Sequence, residues 1–192
     1  MPPMPEGVKD GILKGLYRYK KSSLKETDQR AHLFGSGAIM NEVIKAQQIL
    51  EEKYKVSTDI WSITSYKELH NDGLETERWN MLNPEEKQKV PYITKTLGKE
   101  KGVFVAASDY VKALPDSVSR WFPGPLISLG TDGYGRSEGR KALRDFFEVD
   151  SRHIVYASMV SLFRDKKIKS DVLKKVAKDL EINPDKLNPL VS

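Results

Sequence analysis

Ala31-His32-Leu33-Phe34-Gly35-Ser36-Gly37 is the stretch on which the fold turns. Ala31 to Phe34 reads as a short strand, and the Gly-Ser-Gly that follows stops it. Beyond the turn, Ile39, Val43, Ala46, Leu50 and Tyr54 recur at the spacing of one helix face, so a helix is expected to reach about Tyr54. Upstream, Leu16-Tyr17-Arg18-Tyr19 reads as a first strand after a helical turn around Val8 to Leu13. The polar link Lys20 to Gln29 is short for a parallel crossover and suits an antiparallel pair with the next strand. Downstream, Asp59–Ile63, Gly102–Ala106 and Pro125–Leu129 read as strands three to five, with helical segments between them. Right-handed crossovers would make strands two to five a parallel set. The expected fold is α/β: a three-layer αβα arrangement around a five-stranded, mostly parallel sheet with one antiparallel strand.

Helix starts are written at several points. Asn83-Pro84-Glu85-Glu86 offers a capping asparagine, a first-turn proline and two acids. Asp150 can cap a helix carrying Val155, Met159 and Leu162, and Ser170 another carrying Val172, Leu173, Val176, Ala177 and Leu180. No repeat, low-complexity tract or internal linker interrupts the chain, so residues 1–192 are expected to form one domain.

Hydrophobic residues at 39% and charged residues at 31% describe a globular chain and exclude a disordered one. No apolar run approaches the roughly 18 residues of a membrane span, and Met1 to Gly7 lacks the basic and apolar segments of a signal peptide. With zero cysteines, disulfides and thiolate chemistry are out, and a cytoplasmic location is expected. Much of the +5 net charge lies between Arg164 and Lys178. That cluster lacks interleaved aromatics and nucleic-acid motifs, so it reads as a solvated helix face rather than a nucleic-acid surface.

Gly35-Ser36-Gly37 could present backbone N–H groups to an anion, but Met40 stands where a dinucleotide fold needs its third glycine. Leu129-Gly130-Thr131-Asp132-Gly133-Tyr134-Gly135-Arg136-Ser137 follows a strand, opens a helix at Ser137-Glu138, and lacks the Gly-Lys-Ser/Thr ending of a phosphate-clamping loop. It reads best as a structural loop against a neighbouring domain or subunit, with Asp132, Tyr134, Arg136 and Ser137 as its contact residues. His32, His70 and His153 show no metal-ligand spacing. Asp72, Glu75, Glu77, Asp109 and Asp132 are scattered among loops and helix starts. Trp79, between Arg78 and Asn80, could anchor an interface or fill the core.

An ordered set of motifs resembles the carboxy-terminal domain of the homodimeric, bacterial-type pyruvate dehydrogenases, within the transketolase superfamily. It comprises Met4-Pro5-Glu6-Gly7, Thr64-Ser65, Glu68-Leu69, Asp72-Gly73, Glu77-Arg78-Trp79-Asn80-Met81-Leu82, Val90-Pro91-Tyr92-Ile93, Ala107-Ser108-Asp109-Tyr110, the glycine loop running on to Phe146-Phe147-Glu148-Val149-Asp150, and Lys186 with Asn188-Pro189. Two positions depart from the family pattern: Asn83 replaces a histidine, and Glu138-Gly139 replaces Asp-Thr.

The resemblance implies one domain of a longer enzyme whose preceding domains use thiamine diphosphate and magnesium. The parent would decarboxylate pyruvate oxidatively and acetylate the lipoyl group of an acetyltransferase. Asn71-Asp72-Gly73 and Thr131-Asp132-Gly133 lack the rest of the diphosphate-binding motif, so no residue here is expected to be catalytic, cofactor-binding or metal-ligating. The expected role is support of the preceding domains and of a second subunit in a homodimer, with Arg78, Trp79 and Asn80 as further contacts. The alternatives are a small-ligand or regulatory anion-binding domain using Gly35 to Gly37 or Gly130 to Arg136, and the equivalent domain of a transketolase.

Overall fold

The computed structural model describes residues 5–25 and 27–191, so Met4 of the opening motif lies outside the described residues. Among these, five strands form one sheet in the order β1-β3-β2-β4-β5, with β1 Leu16–Lys20, β2 Arg30–Gly35, β3 Ser57–Ile63, β4 Val103–Ala107 and β5 Leu126–Leu129. The pairs β2–β3, β2–β4 and β4–β5 are parallel, and β1 runs antiparallel to β3.

Period two sorts the strand side chains between two cores. Leu33, Ile60, Val103 and Val105 face one side, where α2 (Met40–Tyr54), α7 (Ser151–Arg164) and α8 (Ser170–Asp179) pack through Val43, Leu50, Ile154, Val155, Leu162 and Val176. Phe34, Trp61, Ile63 and Phe104 face the other, covered by α3 (Tyr66–Leu82) and α4 (Tyr92–Leu97) through Leu69, Ile93 and Leu97, with Trp121 and Phe122 alongside. Every residue of β2 is buried, as a strand covered on both faces and paired on both edges must be. The remaining helices, α1 (Lys9–Leu13), α5 (Ala113–Asp116) and α6 (Arg140–Phe146), are short.

The antiparallel strand is where the sequence puts it, but its neighbour is not β2. Both edges of β2 are taken by β3 and β4, so β1 joins the sheet on the far side of β3. The polar link after β1 passes under that strand: Ser22 N–H donates to Asp59 Oδ1 at 2.8 Å and Ser22 Oγ–H to Glu51 Oε1 at 2.6 Å.

Asn83-Pro84 ends a helix instead of starting one. Ser65 caps α3 through Glu68 N–H, and the helix runs unbroken to Leu82. Asn83 closes it, its backbone N–H and Nδ2 both donating to the Trp79 carbonyl at 3.0 and 2.8 Å. Proline just past a helix is a stop signal as legible as a start, and the preceding helix decides between them. His70 therefore sits inside α3.

Two other starts shift. α6 begins at Arg140, not Ser137, with Gly139 extended at its N-cap, and Glu138 accepts the Gly139 N–H. Ser170 is the first residue of α8 and makes no cap, Lys169 holding that position. Asp150 does cap α7, accepting the His153 N–H at 3.0 Å. Among the described residues no helix is long and apolar enough to cross a membrane.

Candidate functional site

The strand order makes β2–β4 the place where the chain reverses its direction of travel across the sheet. Open α/β sheets bind ligands beyond the carboxyl ends of their strands at such a boundary. Three loops meet there: the turn at Ser36–Ile39 after β2, residues 108–112 after β4, and residues 130–139 after β5.

The glycine loop is laced down at its base and free at its tip. Thr131 N–H donates to the Tyr110 carbonyl at 2.9 Å, and Thr131 Oγ1–H to the Asp109 carbonyl at 2.8 Å. Asp132 accepts the Lys112 N–H at 2.9 Å, with Lys112 Nζ 3.6 Å from its other oxygen, so this carboxylate is occupied structurally. Gly133 has φ +92° and the Pro189 carbonyl lies where a side chain would go. Tyr134 is 80% exposed, Ser137 is exposed, and Arg136 lies over the Phe146 ring at 5.0 Å.

Under this loop lies a cavity of about 500 Å³ with Ile39, Leu143, Phe147 and Val149 in its wall and Tyr134, Arg136, Arg140 and Arg144 around it. Arg144 is fixed by Glu42 of α2 at 2.9 Å, and Glu42, only 5% exposed, also accepts the Ser151 N–H.

The Gly35-Ser36-Gly37 turn faces a second cavity, of about 760 Å³, lined also by Tyr17, Tyr19, Tyr66 and Tyr110. Ser36 Oγ and Tyr66 OH are buried without a hydrogen-bond partner, and burial, then the Asp116 charge, pushes the Tyr66 phenol up. The Asp109 carboxylate comes within 3.3 Å of where a side chain on Gly37 would stand. Negative charge already at the start of α2 disfavours a bound anion at this turn.

Arg78, Trp79 and Asn80 form a separate group at the end of α3. No hydrogen bond, ion pair or ring contact among the described residues joins them to the glycine loop. Asn80 grips the Lys89 backbone twice, Nδ2 donating to its carbonyl at 2.9 Å and Oδ1 accepting its N–H at 2.8 Å. That holds the Lys89 ammonium 4.1 Å over the half-buried Trp79 ring. Arg78 is exposed beside Leu74, Met81 and Leu82, which are 44%, 71% and 56% exposed.

The neighbouring motif residues hold this layer together. Gly73 makes room for the Trp121 ring, Glu77 accepts Trp121 Nε1–H at 2.8 Å and pairs with Arg120, and Asp72 accepts the first N–H of α4 from Tyr92 at 2.6 Å.

Two groups of acids and histidine stand close enough to suggest a metal ion. In the first, Asp59 and Glu100 pair with Arg18 and Arg30, while His32 accepts Trp61 Nε1–H on Nδ1 and donates from Nε2 to the Lys101 carbonyl at 3.0 Å. In the second, Arg152 pairs with Asp145 and Asp150, and Asp150 caps α7. In each group arginines and structural hydrogen bonds occupy the donors, so the set does not fit a magnesium diphosphate. Neither group was visible in sequence, because the partners lie 29 to 82 residues apart in the first. In the second, charges spaced two, three and seven apart read as ordinary surface.

A transketolase-like TK C-terminal domain profile matches residues 15–150. Among curated relatives, the pyruvate dehydrogenase E1 components of Pseudomonas aeruginosa, Buchnera aphidicola subsp. Acyrthosiphon pisum and Escherichia coli K12 are 40%, 42% and 40% identical, over 98%, 100% and 98% of this chain. The chain spans 21% of the length of each. Among solved structures, transketolases from Leishmania mexicana and Pichia stipitis superpose with TM-scores of 0.55 and 0.56, at 15% and 13% identity, over 85% and 100% of the chain and 20% and 22% of theirs. At that identity they share the fold alone.

Proposed function

The chain belongs to the transketolase-like C-terminal domain family, and from that premise we propose that it is the carboxy-terminal structural domain of a homodimeric pyruvate dehydrogenase E1 component. The observation that carries this reading is identity near 40% across almost the whole chain, with proteins about five times as long. The transketolase alternative is weaker, since the transketolases share the fold at 13–15% identity.

In this proposal residues 1–192 are one domain, and pyruvate decarboxylation, acetyl transfer to a lipoyl group, thiamine diphosphate and magnesium belong to the rest of the enzyme, in the cytoplasm. The domain itself is non-catalytic. The engaged carboxylates and the structural duties of Asp72, Gly73, Glu77 and Asn80 support that division. Preceding domains and the second subunit would meet the exposed face of α3 at Leu74, Arg78, Met81 and Leu82 with Trp79 beside it, and the loop at Tyr134, Arg136 and Ser137. Apolar exposure of this kind beside arginine and tryptophan is the usual composition of a contact surface.

Titration of thiamine diphosphate with magnesium into the isolated chain tests the division. No heat of binding is expected; tight, magnesium-dependent binding would overturn it.

A further inference from the structure

We propose that the cavity beneath the Gly133–Arg136 loop binds a small molecule that joins a phosphate or carboxylate group to an apolar body. The site stands on its own geometry and does not depend on the parent enzyme being a pyruvate dehydrogenase.

The charge balance comes first. Arg136, Arg140 and Arg144 line the cavity, and the carboxylate lining it is Asp109. Arg144 is answered by Glu42. Arg136 rests on an aromatic face, and the Arg140 side chain is exposed and makes no ion pair or hydrogen bond among the described residues. Two guanidinium groups therefore face one carboxylate, leaving an excess positive charge at the rim. Guanidinium forks bind phosphate and carboxylate oxygens in pairs, the strongest hydrogen bonds available to such groups.

The wall is of the opposite character. Half-buried Leu143 and the exposed Tyr134 ring supply apolar surface for a ring or chain behind the anionic group, backed by Ile39, Phe147 and Val149, which are already buried. At about 500 Å³ the space falls in the range of small-molecule sites. It lies at the carboxyl ends of the strands, beside the β2–β4 boundary. The loop base is fixed at Thr131, Asp132 and Gly133, so the ordering cost of binding falls on the tip that carries Tyr134 and Arg136.

Phenyl phosphate and benzoate are the probes, with inorganic phosphate and phenol as their separated halves. Backbone amide shifts of the 192-residue chain report where each binds. Saturable millimolar shifts at Ala38, Ile39, Gly133 and Gly135 are expected with phenyl phosphate, benzoate or both, and weaker ones with either half. The preferred probe identifies the anionic group. Arg140→Gln should weaken binding about tenfold, and Arg136→Gln likewise. Both residues are exposed, and an unchanged urea midpoint verifies that each variant folds. Three results overturn the proposal: no saturation by any probe, shifts spread over the basic segment at 164–178, or binding as strong for inorganic phosphate alone as for phenyl phosphate.

Discussion

At the scale of single residues, Gly73 shows how a motif position can be structural. A helix-interior glycine costs about 1 kcal/mol against alanine, yet here the Trp121 ring occupies the space a methyl group would need. The ring cannot easily yield, because Glu77 holds its Nε1–H and Arg120 lies over its face. Gly73→Ala should therefore lower stability by about 1–3 kcal/mol, overpacking outweighing the helix propensity gained. Urea denaturation followed by tryptophan fluorescence measures it; a more stable variant would mean the ring moves aside. Sequence alone shows Asp72-Gly73 as a pair and supplies no reason for it, since Trp121 lies 48 positions downstream. Trp79 was equally open between core and surface, and its half-buried seat under Lys89 depends on an Asn80 contact nine residues away.

At the scale of the element, α7 carries its own start signal. The Asp150 carboxylate caps the helix, meets the His153 ring at 2.7 Å and pairs with Arg152. Burial alone would raise its pKa, but the His153 and Arg152 hydrogen bonds outweigh that and bring it down to about 2. A depressed folded-state value gives stability that is full above the unfolded carboxylate pKa near 4 and is lost as pH falls toward 2. Asp150→Ala should cost about 1–2 kcal/mol at neutral pH, and Asp150→Asn less, since the amide oxygen still caps. Equal losses in guanidinium titrations would show that charge, not capping, supplies the stability. Asp150 is legible because an N-cap is a local signal. Asn83 misleads because the same Asn-Pro pair closes one helix as readily as it opens another, and what distinguishes them is the length of α3 upstream.

At the scale of the whole molecule, the five strands and their mostly parallel order were legible from apolar runs separated by helical spacing. The place of β1 was not, because loop length limits direction but does not say which edge is vacant. The sequence marked the glycine loop as a contact segment and gave no sign of the cavity beneath it, because Arg140 and the Glu42–Arg144 pair come to it only through tertiary packing. The buried Arg30 and Asp59 and the half-buried Arg18 and Glu100 tie β1, β2 and β3 to the approach to β4, with His32 fully buried beside them. Burial holds the His32 pKa below its ordinary value, ahead of the opposing Lys101 carbonyl and Glu100 charge. A histidine kept neutral on folding contributes stability that is complete above the unfolded value near 6.5 and declines as pH drops through it toward the lower folded value. The unfolding free energy should therefore decline as pH is brought below about 6.5. Proton NMR of the His32 ring checks this, and titration at or above the value of an exposed imidazole would refute it.

The contact between Gly133 and the Pro189 carbonyl couples two stretches far apart in sequence. A protease that nicked the segment before Pro189 would loosen the loop at Gly133 while the Thr131 and Asp132 bonds still hold its base, so cleavage there should weaken ligand binding without abolishing it.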